Sequence, residues 1–230
     1  MIAISFICLS LAGLSGVLWQ RQLRLRREAY VRSFILPKGL FEKLCERHPT
    51  LTTKDCQLVS QGLRQFFLGH LKSGRKYVSM PSQVADDLWH EFILYTKNYQ
   101  EFCKHGFGRF LHHTPAVALS KAQQSDAGIR RSWYYACHEE NINPKKPTRL
   151  PLLFALDSKL NIPNGFVYVA DCTGLQRQNA DGTTTHCGAE AGSGCGGSNG
   201  SGSDTDSGSD SGGSDGGGCG GGGCGGGGGD

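Results

Sequence analysis

Charged residues are absent from the first 20 positions of this 230-residue chain, and lysine and arginine are absent from residues 181–230. Cysteine is sparse and widely spaced in residues 1–180, where six occur, so a small scaffold held by disulfide bonds is excluded. The chain has 34 glycines but no Gly-X-Y period, which excludes collagen. These absences divide the chain into an apolar amino terminus, a middle of ordinary composition and a glycine-rich carboxyl terminus.

Residues 1–20 have the length and composition of a membrane-spanning helix. A helix of this length is about 30 Å long, which matches the hydrocarbon core of a bilayer. Trp19 lies where an interfacial aromatic residue is expected, and five arginines follow between Arg21 and Arg32. The alternative is a cleaved signal peptide, whose positive charges would precede the apolar stretch instead of following it. We therefore predict a retained transmembrane anchor at 1–20 and a basic juxtamembrane segment at 21–34.

The arginine-rich flank also predicts where the rest of the chain lies. The positive-inside rule places this flank in the cytoplasm, so we expect a single-pass protein of the cell membrane whose domain and tail are cytoplasmic. Membrane lipid is the expected partner of residues 1–32, with anionic head groups against the arginines. Residues 1–180 carry a net charge of +11, and five of the positive charges belong to the arginine-rich flank. The remaining basic residues form only short pairs without interleaved aromatics. No nucleic-acid partner is therefore expected.

Residues 181–230 have the composition of a disordered, glycine-rich tail. They contain 23 of the 34 glycines, carry a net charge of −7 and have too few apolar side chains to form a core. In a reducing cytoplasm their cysteines are expected to be thiols. No Cys-x-x-Cys pair occurs among them, so a plain disordered tail is favoured over a metal-binding one. These cysteines are Cys187, Cys195, Cys219 and Cys224.

Residues 35–180 predict a mainly α, compact multi-helix domain. Apolar side chains recur there at steps of three and four residues, which is the period of an amphipathic helix. Pro37 suits the first position of one helix, Thr52 or Thr53 can cap a second, and Ser82 can cap a third. The domain is long enough to bury a hydrophobic core of its own.

The third of these helices, predicted over Pro81–Cys103 with Ser82 as its cap, is expected to be longer than the first two. Its apolar surface is wider than one stripe, which predicts that other helices pack on both of its sides, with Trp89 buried between them. Shorter elements are expected to be helices at 129–140 and 150–160 and one strand at 166–169.

A candidate metal site begins at His90, one helical turn after Asp86, whose carboxylate could orient the imidazole. The zinc-protease signature is incomplete, because it requires histidine where this chain has Leu94. A loop folded back on the helix would bring His112 or His113 to His90, and imidazole ligands suit zinc or iron. The favoured alternative is an exposed or hydrogen-bonded His90 with no role as a ligand.

Several motifs together carry a resemblance to a known family. They are Met80-Pro81-Ser82, Asp86-Asp87-Leu88-Trp89-His90-Glu91-Phe92, the segment from Phe107 to Pro115, and Leu150 to Asp157. With the Gly/Cys tail, they resemble bacterial proteins described as glycine-rich domain-containing, over about residues 35–175. The Asp-x-x-Trp-His core is more distantly similar to plant glycine-rich domain proteins. Their Trp-His-x-His pattern has Phe92 in place of the second histidine here, and the resemblance implies no reaction and no catalytic residue.

Two hypotheses about function follow from these features. The leading one is a membrane-anchored helical module that interacts with a protein partner and is not an enzyme, because no complete catalytic constellation occurs. The alternative is a metal-binding protein or metal-dependent enzyme that holds zinc or iron through His90 with His112 or His113.

Overall fold

A computed structural model describes residues 2–113, 127–170 and 185–187, all within one compact unit of the chain. The described part is mainly helical and has a multi-helix core, as the sequence predicted. Its helices are α1 (Ile2–Ser33), α2 (Leu40–Arg47), α3 (Thr53–Lys72), α4 (Gln83–Leu94), α5 (Thr96–Phe107), α6 (Ala127–Glu139) and α7 (Leu152–Lys159). Its strands are β1 (Val167–Val169) and β2 (Thr185–Cys187).

Helix α3 is the centre of the core and packs against α1, α2, α4, α6 and α7. It begins with the predicted cap at Thr52. The Thr52 hydroxyl accepts a hydrogen bond from the Asp55 amide, and the Asp55 carboxylate accepts one from the Thr52 amide. Gly62 lets α7 approach closely, because a Cβ at this position would lie 2.4 Å from a methyl group of Leu156.

The single helix predicted over Pro81–Cys103 is wrong, because the chain leaves helical geometry at Tyr95 (φ −79°, ψ 60°). The result is two helices, α4 and α5. The break lets Phe92 of α4 and Tyr99 of α5 meet edge to face, with ring centroids 5.2 Å apart. The predicted cap at Ser82 is confirmed, and α4 packs against α2, α3, α5 and α7, with Trp89 buried.

Helix α2 begins later than expected, at Leu40 and not near Pro37. Its first residue follows Gly39, which has a positive φ of 86°. A side chain at Gly39 would be strained by this backbone conformation and would also lie 3.0 Å from the Tyr95 hydroxyl. The positive φ and the close approach of Tyr95 therefore both favour glycine at the residue that precedes α2.

The carboxyl-terminal part of α1 belongs to the helical core, so the packed body begins before residue 35. Val31 is buried, and the Tyr30 ring lies 6.1 Å from that of Phe102. Arg32 forms ion pairs with Glu28 of its own helix and with Glu139 of α6. Residues 21–34, predicted as a basic juxtamembrane segment, thus end inside the core.

Further toward its amino terminus, α1 leaves apolar side chains exposed. Each of them has more than half of its surface exposed: Leu11, Leu14, Val17, Leu18 and Trp19. Within the described residues, we find no helix whose length and apolar character would allow it to cross a membrane.

The two strands form a small parallel sheet in which Val167 lies opposite Thr185 and Val169 opposite Cys187. The prediction of a disordered tail from residue 181 is therefore wrong for Thr185–Cys187. Threonine is β-branched and favours strands, and the edge of β1 supplies backbone partners. Cys187 is disulfide-bonded and not the expected thiol. The rest of the predicted tail, at 181–184 and 188–230, lies outside the described residues.

Candidate metal site

Three side chains that can ligate a metal converge on the surface of α4: Asp86, His90 and His113, whose ligand atoms lie within 4.8 Å of one another. One Asp86 oxygen lies 3.0 Å from Nε2 of His113, and the other lies 3.5 Å from Nδ1 of His90. The two imidazole ring centroids are 4.2 Å apart. The carboxylate thus faces both imidazoles, and each member of the group retains some solvent exposure.

A chain of contacts through the core places His113 beside α4. Gly108, with a positive φ of 72°, ends α5 and lets the backbone turn. The Tyr99 hydroxyl then donates a hydrogen bond to the Leu111 carbonyl and accepts one of 3.2 Å from the Trp89 indole N–H. The same indole contacts the His113 ring edge to face, at 4.6 Å. Trp89 therefore links the segment after α5 to α4.

Burial keeps the neighbouring phenol and thiol uncharged. Removal from water raises the pKa of Tyr99 far above its usual value, so its hydroxyl retains the proton that it donates to Leu111. Burial also raises the pKa of the Cys103 thiol. Neither group therefore adds a negative charge beside the candidate site.

The structure brings together two of the three histidines that the sequence singled out. His90 and His113 converge, whereas His112 is exposed and packs against Phe110 with ring centroids 4.8 Å apart. Adjacent side chains in a non-helical segment point in different directions, so only one of the pair can face α4. Asp86, expected only to orient His90, is placed as a potential ligand in its own right.

A second aspartate–histidine contact, on the next residue of α4, shows a different environment. Asp87 lies 2.8 Å from His48 Nε2 and also forms an ion pair of 2.8 Å with Arg47. The guanidinium occupies a carboxylate oxygen and repels a cation. Across residues 2–113, 127–170 and 185–187, the group at Asp86 is the only set of three such side chains that meets the spacing for a metal.

Two imidazoles and one carboxylate are a ligand set that zinc and non-haem iron both use. Three protein ligands leave at least one coordination position open for water or a substrate. The side chains of His90, Asp86 and His113 are 42%, 23% and 14% exposed, so such a position would be accessible from solvent.

The fold and this group define a mainly helical protein with a candidate two-histidine, one-carboxylate metal site. The chain belongs to the UCP032817-like family, whose model matches residues 26–191. The match begins within α1, contains all three candidate ligands and extends past β2. No curated protein and no solved structure matches the chain. The resemblance to glycine-rich domain proteins stays a prediction.

Proposed function

We propose that this protein binds one divalent transition-metal ion, zinc or iron, through Asp86, His90 and His113. The observation that carries the proposal is the convergence of His113, from the segment after α5, on two side chains of α4. Ligand atoms that each lie about 2 Å from one ion are separated by about 3–4 Å. The contacts from the two oxygens of Asp86 to the two imidazoles, 3.0 and 3.5 Å, fall in this range, and one ligand atom from each of the three residues lies within 4.8 Å of the others, so small side-chain movements would close the group on an ion.

An open coordination position would allow a water molecule or a substrate to bind the metal. A zinc ion held by three protein ligands lowers the pKa of its bound water to about 7, and iron in this ligand set has positions for further ligands. The group therefore supports metal-dependent chemistry as well as simple metal binding. The competing explanation is a pair of hydrogen-bonded histidines on a shared carboxylate, which requires no metal.

Metal titration of the full-length chain tests this proposal. The protein would be stripped with a chelator, dialysed and titrated with Zn²⁺, or with Fe²⁺ in the absence of oxygen, and its metal content measured by elemental analysis. We expect one ion per chain. His90→Ala and His113→Ala should each lower the affinity by about tenfold to a hundredfold or more, because each removes one of three ligands.

His112→Ala is the matched control, because it removes an adjacent histidine that lies outside the group. It should bind metal like the parent protein. A stripped protein that takes up neither ion, or equal affinities in the His112 and His113 variants, would contradict the proposal.

We also propose, as the second candidate, that the amino-terminal part of α1 anchors the protein in the cell membrane as a single-pass segment. The supporting observation is the exposed apolar surface between Leu11 and Trp19, followed by the exposed Arg21, Arg24 and Arg26. Covering apolar surface of this kind with lipid or a protein partner is favourable, because it removes that surface from water. In this arrangement the helical body is cytoplasmic and presents an interaction module to a protein partner.

Topology reporters test the anchor and its orientation. A carboxyl-terminal reporter that is active only in the cytoplasm should report from the membrane fraction, and one active only outside should stay silent. Disulfides such as the one at Cys187 are typical of oxidising compartments and argue against a cytoplasmic orientation. The reporters therefore test the orientation directly. The reverse reporter result would overturn the orientation, and recovery in the soluble fraction would overturn the anchor.

A further inference from the structure

A cavity of about 590 Å³ lies between α2, α3 and the segment that joins α1 to α2. Its volume is within the range of about 300–1,000 Å³ that small-molecule sites occupy. None of its lining residues belongs to the candidate metal group. An inference about this cavity is therefore independent of the proposed metal site.

The walls of the cavity are mainly apolar. Phe34, Leu36 and Phe41 line it while packing partly against the core, and Ile35 beside them is 86% exposed. The Phe34 ring lies 4.7 Å from that of Phe102, which fixes this wall against the core. The cavity thus offers a preformed apolar surface with an exposed aliphatic side chain at its edge.

Arg64 of α3 brings a charge into this apolar surface. Its guanidinium donates a hydrogen bond of 3.1 Å to the Phe34 carbonyl, and burial lowers its pKa. Arg32, Arg47 and Arg149 each pair with a carboxylate, but no described carboxylate lies within ion-pair distance of Arg64. A half-buried guanidinium without a counter-ion is unfavourable, since it loses hydration without gaining an opposite charge.

We propose that this cavity binds an apolar monocarboxylate, such as a medium-chain fatty acid, with its carboxylate on Arg64 and its chain along Phe34, Leu36 and Phe41. Planar guanidinium and carboxylate groups form paired hydrogen bonds. Lys38 and Glu42 also line the cavity, so with Arg64 the lining carries a net charge of one positive unit. That charge matches a monoanion, and Glu42 disfavours a phosphate dianion.

Displacement of a fluorescent fatty acid from the full-length chain tests this inference. The probe is 11-(dansylamino)undecanoate, and the competitors are dodecanoate, dodecanol and dodecyl phosphate, all below their critical micelle concentrations. Dodecanoate should compete about tenfold better than dodecanol, because only the carboxylate can pair with the guanidinium. Arg64→Gln should weaken dodecanoate binding by about tenfold or more and remove this preference.

Two further variants locate the site. Lys54→Gln removes the same charge from an exposed position of α3 outside the cavity and should leave binding unchanged. Ser60→Phe should fill part of the cavity and reduce binding of dodecanoate and dodecanol alike. His113→Ala should bind dodecanoate normally, which separates this site from the metal group. Circular dichroism would establish that each variant is folded.

Several outcomes would overturn the inference. Equal affinity for dodecanoate and dodecanol would exclude a role for the charge, and equal effects of Arg64→Gln and Lys54→Gln would exclude this guanidinium. Unchanged binding in Ser60→Phe would place the ligand elsewhere. Tighter binding of dodecyl phosphate than of dodecanoate would replace the monocarboxylate assignment.

Discussion

The carboxylates of Asp157 and Asp86 both lie at the amino-terminal half of α4, but they differ in burial and in hydrogen-bond partners. Asp157 of α7 is buried, whereas Asp86 of α4 retains solvent contact. The oxygens of Asp157 accept hydrogen bonds from the Ser82 hydroxyl (2.7 Å) and from the backbone amides of Gln83 (2.7 Å), Val84 (3.2 Å) and Phe166 (2.9 Å). The side-chain contacts of Asp86 are to two imidazoles.

The partners of each carboxylate indicate its role. Asp157 is surrounded by donors that the backbone and a capping serine hold in place, and its negative charge lies at the positive end of the α4 dipole. It fixes α7 and the start of β1 to α4 and has no free oxygen for a ligand. The partners of Asp86 can lose their protons and coordinate a metal instead. Asp157, whose oxygens are all occupied by fixed donors, is therefore the structural carboxylate, and Asp86 is the candidate ligand.

Replacing Trp89 by alanine is expected to have the largest effect, because it should weaken both the helical core and the candidate metal site. Trp89 packs on Phe66 and Phe67 of α3, with ring centroids 5.0 and 5.8 Å away, and also contacts the His113 ring and the Tyr99 hydroxyl. The cavity left behind should reduce the free energy of unfolding by about 3–5 kcal/mol. Urea unfolding measures this loss, and zinc titration of the folded protein should show weaker binding because His113 is released.

Trp89→Phe is the control for that variant, since it keeps an aromatic ring in the core and should retain most of the stability. A loss below about 1 kcal/mol in Trp89→Ala would contradict the packing of α4 on α3.

Local signals in the sequence explain which of these features could be predicted. The caps at Thr52 and Ser82 depend on side chains next to the helix that they begin, and the pairing of Asp86 with His90 depends on one helical turn. Such features follow from short-range geometry and are found by pattern alone.

The features that could not be predicted lack a local signal. The break at Tyr95 is marked by no proline or glycine, although it allows Phe92 and Tyr99 to pack edge to face. The choice of His113 over His112 follows from the anchoring of Leu111 by Tyr99. Asp157 has no local signal, because three of its donors begin α4, far away in the chain. These outcomes depend on tertiary packing, which a helical period does not encode.

Replacing Asp157 by alanine should sharpen the comparison, with the second largest effect. The variant leaves the donors at the start of α4 without their acceptor, which we expect to reduce the free energy of unfolding by about 3 kcal/mol. Zinc affinity of the folded fraction should stay close to that of the parent protein. Asp157→Asn keeps one acceptor oxygen, so its free energy of unfolding should lie between those of the parent protein and Asp157→Ala. An Asp157→Ala variant with full stability but no metal binding would reverse the assigned roles.

The pH dependence of stability should report on one buried histidine of the core. His70 of α3 is buried against Phe107, and loss of hydration lowers its pKa to about 4. The unfolded chain, with an ordinary pKa of about 6.5, binds the proton more readily. The contribution of His70 is therefore complete above about pH 6.5 and is lost as the pH falls toward 4, by about 1 kcal/mol per pH unit.

Urea unfolding between pH 7 and 4 measures this slope, and His70→Phe removes the titrating group while keeping a ring. The variant should show a shallower decline than the parent protein. Identical slopes would mean that the imidazole is hydrated in the folded state.

The smallest expected effect on stability belongs to Asp86→Asn, and this variant is the most direct test of the comparison. Asp86 and its imidazole partners are partly exposed, so loss of the contacts between them should change the free energy of unfolding by less than about 1 kcal/mol. Asparagine keeps the shape of the side chain but replaces the anionic carboxylate by a neutral amide, which is a weaker ligand for zinc or iron. Zinc or iron affinity should therefore fall by about tenfold to a hundredfold. If Asp86→Asn instead destabilised the protein as much as Asp157→Ala and left metal content unchanged, Asp86 would be a second structural carboxylate, and its two histidines would be hydrogen-bond partners only.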